Sequence, residues 1–261
     1  MPRRSRLDLP STIHHISIRG VDRMRIFRDE EDAADMLARF DRWTCETGSD
    51  CLGWSFNGNH GHWVIARHDR SLAEVIARFA SAYAQHFNRR HNRTGPLFDG
   101  RYRSRVIRGD DDLRWTTVYA LANPVRHGVD GLGTIDENVW AGWGAVIGRR
   151  TPYDFERIDA VLRLFGESDS RARENLRREL ARAVETRWQL PWEARLEQLI
   201  DETCAAHGVA RDEFTSGSVD SLAAQGAVVC KAIRDLGLPW RLVEERLRVP
   251  RSRISRALKA G

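Results

Sequence analysis

Lysine is nearly missing from this sequence. Lys231 and Lys259 are the only two, so the net charge of +5 rests on arginine. Arginine offers a fork of donors that matches phosphate, and a basic surface with a pI near 9.4 attracts a polyanion. A genome rich in arginine codons gives the same composition, so charge alone does not decide the partner. Cysteine is also sparse. Cys45, Cys51, Cys204 and Cys230 include no C-x-x-C pair, which excludes a thiolate zinc site or dithiol redox centre of ordinary spacing. They read as scattered thiols of a reducing compartment. No apolar run approaches membrane-spanning length. The basic start, Met1-Pro2-Arg3-Arg4-Ser5-Arg6, is not followed by an apolar segment, so no signal peptide and a cytoplasmic location are expected. Low-complexity tracts and internal repeats are absent too. What remains is 41% hydrophobic and 30% charged residues, a composition and length that build a core in one large domain or two smaller ones.

The periodicity predicts strands at 13–18, 51–56, 60–66 and 101–107. Helices are expected at 29–47 (Ala33, Met36, Leu37 and Phe40 on one face), at 72–91 after a Ser71 cap, and from Asp110 to near Pro124. Asn57-Gly58-Asn59 reads as the turn of an antiparallel hairpin. The order β-α-β-β-α-β followed by a helix predicts an α+β fold with a ferredoxin-like domain. We place it at residues 1–150, a helical linker region at 151–190, and a helical DNA-binding domain at 191–261. In that last segment, helices at 222–236, 240–247 and 251–259, with a turn at Arg248-Val249-Pro250, form a helix-turn-helix pattern. Its third helix offers Arg251, Ser252, Arg253, Ser255 and Arg256 to phosphates and base edges. A plain three-helix bundle with an arginine-coated face gives the same pattern.

His60 and His62 are two apart on a predicted strand, so both imidazoles face one side and can share a metal. Tyr119 and Asn123 are four apart on a predicted helix and are neighbours on its surface. A tyrosine can form a covalent intermediate, and an asparagine carbonyl suits Mg2+ or Mn2+. Taken singly, each has an ordinary reading: a structural histidine, a half-buried aromatic, a helix cap. Arg89, Arg90, Arg93, Arg101, Arg103, Arg105 and Arg108 crowd together with Phe87, Phe98 and Tyr102, a mixture that suits single-stranded or hairpin DNA, with Tyr102 stacking on a base. Arg3, Arg4 and Arg6 form a basic arm able to reach a groove.

Five segments, taken in order, carry a resemblance: the stretch from Pro10 to Phe27, Asn59-His60-Gly61-His62, Phe87-Asn88-Arg89-Arg90, Gly95 to Ser104, and Tyr119-Ala-Leu-Ala-Asn123-Pro124-Val125-Arg126-His127-Gly128. Together they resemble the REP-associated tyrosine transposases of the His-hydrophobic-His (HUH) single-strand transposase superfamily. The likeness covers residues 1–150, and the Leu162 to Gly166 segment and terminal helices also resemble family extensions. The resemblance implies that His60, His62 and Asn123 bind a divalent metal, Mg2+ or Mn2+, and that Tyr119 attacks single-stranded or hairpin DNA of palindromic repeats. The product would be a 5′-phosphotyrosine and a free 3′-hydroxyl. The bond energy is kept in that ester, in keeping with the lack of a G-x-x-x-x-G-K-[ST] loop. The implied assembly is a monomer or homodimer without a membrane partner.

The sequence departs from the family at Gly61, where a bulky apolar residue is usual, and at Gly58, where proline is frequent. Glycine weakens a strand interior, and Trp63 refills part of that volume from the same side. Two other readings compete with the enzyme. One is a domesticated, non-cleaving DNA-binding regulator; the other is an RNA-binding module, which the 101–106 segment does not fit because it lacks the aromatic pattern.

Overall fold

The computed structural model describes residues 10–68, 70–126, 139–185, 191–236, 238 and 240–260. The chain divides into two compact units, Met1–Trp188 and Gln189–Gly261. The first is a mixed α and β unit built on a four-stranded antiparallel sheet in the order β2-β3-β1-β4. Its strands are β1 (Ile13–Arg19), β2 (Asp50–Asn57), β3 (His60–Ala66) and β4 (Arg103–Val106). Helix α1 (Glu30–Glu46) joins β1 to β2, and α2 (Leu72–Arg90) joins β3 to β4. Each begins on a cap visible in the sequence: Asp29 accepts from the Asp32 N–H at 3.0 Å, and Ser71 accepts from the Glu74 N–H at 3.2 Å. Such caps hold orphan donors at a helix start and are worth about 1 kcal/mol each.

Strand alternation assigns the two faces of the sheet. One carries Ile16, Ile18, Trp54, Phe56, Trp63 and Ile65, packed with Met36, Leu37 and Phe40 of α1 and Val75, Ile76, Phe79 and Tyr83 of α2. The other carries Val64, which joins a second core with Val118 and Leu121 of α3 (Gly109–Arg126) and with α5 (Ile158–Arg163) and α6 (Asp169–Glu185). Helix α3 thus lies across β2 and β3. Pro124 sits inside its last turn rather than ending it; there it removes one backbone donor, and the helix continues to Arg126. The short α4 (Trp143–Val146) precedes α5. Helix α6, within the stretch expected as a linker, lies in the first unit and buries Ala172, Leu176, Leu180 and Ala183 in the second core. That spacing makes one apolar helical face, and α6 packs on α3.

The second unit holds α7 (Pro191–Ala206), a 3-10 turn at Arg211–Thr215, α8 (Val219–Arg234), α9 (Trp240–Leu247) and α10 (Arg251–Ala260). Arg248 takes a left-handed φ of 53° between the last two helices. Val228, Val229, Val243, Leu247, Val249 and Ile254 form buried contacts of this unit. No helix among the described residues is long and apolar enough to cross a membrane.

Candidate metal and nucleophile site

The second face of the sheet carries a polar, largely buried stretch facing α3, with Ser55, Asn57 and His62 all buried. His60 and His62 project from β3 on the α3 side, with ring centroids 5.0 Å apart. Across the ladder, His62 pairs with Ser17 and Ser55, and His60 pairs with Arg19 and Asn57. His15 of β1 pairs with Val64 and so stands diagonal to His62, within reach on the same face. The rings of His15 and His62 stack at 5.2 Å, and His15 Nε2 lies 3.0 Å from His62 Nδ1. Tyr119, half-buried on α3, meets both edge-on, at 5.4 Å from His62 and 5.7 Å from His15. Burial first, and then the Arg105 charge, pull the His15 pKa from 6.5 down to about 3 against the opposing effect of Asp112. His15 is therefore a neutral imidazole at pH 7.

Asn123 is fully buried one turn beyond Tyr119. Its Oδ1 accepts from Asn57 Nδ2 at 2.5 Å, and the same Asn57 nitrogen lies 3.1 Å from His60 Nε2. His60 Nδ1 faces Asn59 Oδ1 at 2.6 Å. A carbonyl oxygen only accepts, so Nδ1 carries the proton and Nε2 directs its lone pair into the site. This orienting acceptor is what a metal-binding imidazole requires. Two lone pairs, from His60 Nε2 and Asn123 Oδ1, thus converge on one point. Two buried amide atoms beside it, Asn57 Oδ1 and Asn123 Nδ2, lack a hydrogen-bond partner among the described residues. The donor set fits a divalent cation: imidazole nitrogens and amide oxygens are ligands for Mn2+ or Mg2+. Among the described residues no three His, Cys, Asp or Glu side chains gather to hold a metal, so any cation here relies on amide oxygen beside imidazole.

Gly61 has a packing reason. A Cβ on it would stand 2.6 Å from Trp63 Cη2 and 3.2 Å from Phe56 Cδ1. The Trp63 indole occupies the space that a side chain at 61 would fill, and it is completely buried against Phe40, Phe56 and Phe79. A Cβ on Gly58 would meet only the Arg25 side chain, at ordinary contact distance.

Burial or pairing engages several of the residues expected to contact DNA. Tyr102 belongs to the core between the sheet and its two helices and is 8% exposed, so its ring is not presented to a base. Arg105 is 6% exposed. It binds both carboxylate oxygens of Asp112 at 2.6 and 2.8 Å and Thr116 Oγ1 at 2.8 Å, tying β4 to the first turns of α3. Arg90 is held by Asp29, Glu31 and Asp32, and Arg93 donates to Asn88 and to the Pro96 carbonyl. Arg253 donates to buried Gln225 at 2.7 Å. Arg89, Arg101, Arg108 and Arg256 are exposed, and Arg103 is half-buried. Arg3, Arg4, Arg6 and the side chain of Arg251 lie outside the described residues, as do His127 and Gly128.

Tyr83 is buried and donates to the Ile26 carbonyl at 2.5 Å; burial and nearby carboxylates push its pKa upward. Tyr153 stacks on Phe155. Asn57, read from sequence as a turn residue, closes β2 with its amide in the site. His15 is the other residue that motif reading left unassigned. The alternation Ile13, His15, Ser17, Arg19 already places it on the polar face. Its neighbour His14 turns to the other side, between Thr12 and Ser104.

The chain matches no family model, and no curated protein matches it. Among solved structures it is similar to a REP-associated tyrosine transposase bound to a REP hairpin. That likeness has 13% identity and a TM-score of 0.49, over 61% of this chain and 90% of that one. It is also similar to the tRNA(His) guanylyltransferase of Saccharomyces cerevisiae, at 15% identity and a TM-score of 0.28, over 66% of this chain and 79% of that one. Neither similarity is strong enough to fix a family.

Proposed function

We propose that the protein is a metal-dependent single-strand DNA endonuclease and strand transferase, transposase-like, acting on hairpins of palindromic repeats. The observation that carries this reading is the convergence of Tyr119 and Asn123 from α3 with His60 and His62 from β3. The sequence resemblance assigns roles to these same four residues. A divalent cation, Mg2+ or Mn2+, held by His60, His62 and Asn123 would supply positive charge to the scissile phosphate. All three donors are neutral, so the cation would keep its full charge for that task.

The residues of the chain do the rest. Tyr119 forms a bond from its phenolic oxygen to phosphorus. The bond from phosphorus to the 3′ oxygen breaks, and that oxygen takes up a proton as the phenol loses one. A second 3′-hydroxyl reverses the step and joins a new strand. Holding the nucleophile one helical turn from a metal ligand fixes the two against each other, which is the main advantage of placing both on one rigid helix. The Arg105–Asp112 pair then sets the start of that helix against β4.

We read the sheet order as a ferredoxin-like nuclease domain at residues 1–150, buttressed by the helices of 151–190. The 191–261 segment is read as a DNA-binding domain in which α9 and α10 form the helix-turn-helix. Ser252, Ser255 and Arg256 are its exposed contact residues.

The test is a denaturing gel. The protein is mixed with Mn2+ and end-labelled hairpins taken from palindromic repeats flanking its gene, beside Tyr119→Phe and His62→Ala. A covalent protein–DNA band that needs Mn2+ and disappears in both variants is the expected result. Tight hairpin binding with no band in the wild type, at saturating Mn2+, would favour the non-cutting regulator.

A further inference from the structure

The amide of Asn57 stands where a cation ligand belongs, turned the wrong way round. Its Nδ2 lies between His60 Nε2, at 3.1 Å, and Asn123 Oδ1, at 2.5 Å. In this orientation it satisfies both lone pairs, but it leaves its own Oδ1 and Asn123 Nδ2 buried without partners among the described residues. Asn57 is 1% exposed, so water does not reach them freely. A half-satisfied buried network of this kind is costly and calls for a reason.

Turning the Asn57 amide over exchanges oxygen for nitrogen at nearly the same positions. Asn57 Oδ1 would then face His60 Nε2 and Asn123 Oδ1. Three lone-pair donors would converge with no proton among them, because Asn59 Oδ1 holds the His60 proton on the far nitrogen. A divalent cation satisfies such a cluster of nitrogen and oxygen donors. The two amide orientations therefore suit two states: the nitrogen closes the metal-free site, and the oxygen completes the metal-bound one.

We propose that Asn57 is a further ligand of the divalent cation and that its amide turns over when the cation enters. This inference rests on the cation site assigned above to His60, His62 and Asn123. It places one donor at the end of β2, opposite His60 in the ladder, and so joins β2, β3 and α3 through one ion. It also adds a competition: the cation has to displace two hydrogen bonds before it is bound, which slows loading relative to an open site.

The experiment measures Mn2+ binding to the full chain without DNA, by calorimetry and by the loss of the free-ion electron paramagnetic resonance signal. Wild type, Asn57→Ala, Asn57→Asp and His60→Ala are compared, with melting temperatures in EDTA as the check on folding. Asn57→Ala removes both the plug and the ligand. The proposal expects its Mn2+ affinity to fall by roughly tenfold or more, the scale on which a site loses affinity when its supporting groups are cut. Asn57→Asp has the same shape but presents only acceptors. It should melt earlier than wild type in EDTA, bind Mn2+ more tightly, and gain more in melting temperature when Mn2+ is added. If Asn57→Ala binds Mn2+ as tightly as wild type or more tightly, the amide is a plug and not a ligand, and the inference fails while the site stands. Should Asn57→Ala not fold, failure of Asn57→Asp to tighten binding overturns the inference on its own. If wild type and His60→Ala both bind no Mn2+, the metal site itself is lost and this inference with it.

Discussion

At the residue scale, polar side chains share a largely buried surface and have to satisfy one another there. Arg105 and Asp112 are the clearest case. Burial raises the Asp112 carboxyl, but its bonds to Arg105, the Arg108 N–H and Thr116 outweigh that, and its pKa lies below the ordinary value. Removing one partner of a buried pair strands the other, so Asp112→Ala is expected to lower stability by about 3–5 kcal/mol in urea titrations. The pH dependence follows from the sign of the shift. A carboxylate with a depressed folded pKa stabilises the fold fully above its unfolded value, near pH ~4, and loses that contribution as pH falls through the folded value. The gap in stability between wild type and Asp112→Asn should therefore be widest near neutrality and close below about pH 4. A gap that widened in acid would refute the assignment. Gly61 supplies a second residue-scale prediction. Gly61→Val drives a side chain into the Trp63 indole and should destabilise by about 1–3 kcal/mol, as overpacked cores do. Adding Trp63→Leu should recover part of that loss; a neutral Gly61→Val would mean that the indole has room to move.

At the element scale, the site depends on how α3 is held. Its first turns are tied to β4 through Arg105, its middle packs on β2 and α6, and Arg114 pairs with Glu179 of α6. Leu176 of α6 is fully buried in the second core, so truncating it is expected to loosen α3 and with it Tyr119. Leu176→Ala should cost about 2–5 kcal/mol and lower strand cleavage beyond what its unfolded fraction explains. Much of this architecture was legible beforehand, because α1, α2 and β3 carry complete local signals. Asp29 and Ser71 cap where expected, apolar residues recur at helical spacing, and β3 spans His60–Ala66 as read. The parts that were not legible lacked a local signature. Among the described residues β4 pairs with β1 alone, over four residues, so its ends follow tertiary pairing rather than the run of arginines and aromatics. Helix α4 is four residues long, too short for any periodicity to show. The orientation of Arg105 and the burial of Tyr102 are set by which face of β4 meets α3, a fact of packing and not of composition. Asn57 was masked by its neighbours: Asn-Gly-Asn looks like turn chemistry, and only the register opposite His60 makes it a site residue.

At the scale of the whole molecule, the chain forms two compact units. In the proposed reading the sheet unit cuts and the helical unit recognises. The exposed arginines are then separable by the kind of DNA binding they serve. Arg101→Ala, just before β4, should reduce the slope of log affinity against log salt by about 1 for hairpin DNA. Arg256→Ala on α10 should do the same for duplex flanks in filter-binding titrations. Arg90→Ala, whose guanidinium is already engaged by three carboxylates, should leave the slope unchanged and lower the melting temperature instead. Equal salt effects from Arg90 and Arg101 would contradict the division between structural and exposed arginines.

The central claim is that Tyr119 is the nucleophile of a metal-dependent strand cleavage, and the most direct measurement locates the covalent bond. Protein incubated with hairpin DNA and Mn2+ is trimmed with nuclease, digested with protease, and the peptide that retains a nucleotide is identified by mass spectrometry. The expected result is a nucleotide attached through a 5′-phosphate to Tyr119, which does not form when EDTA is present during the incubation. A nucleotide on Tyr153 or another residue, or no modified peptide under conditions where the hairpin is bound, would contradict it.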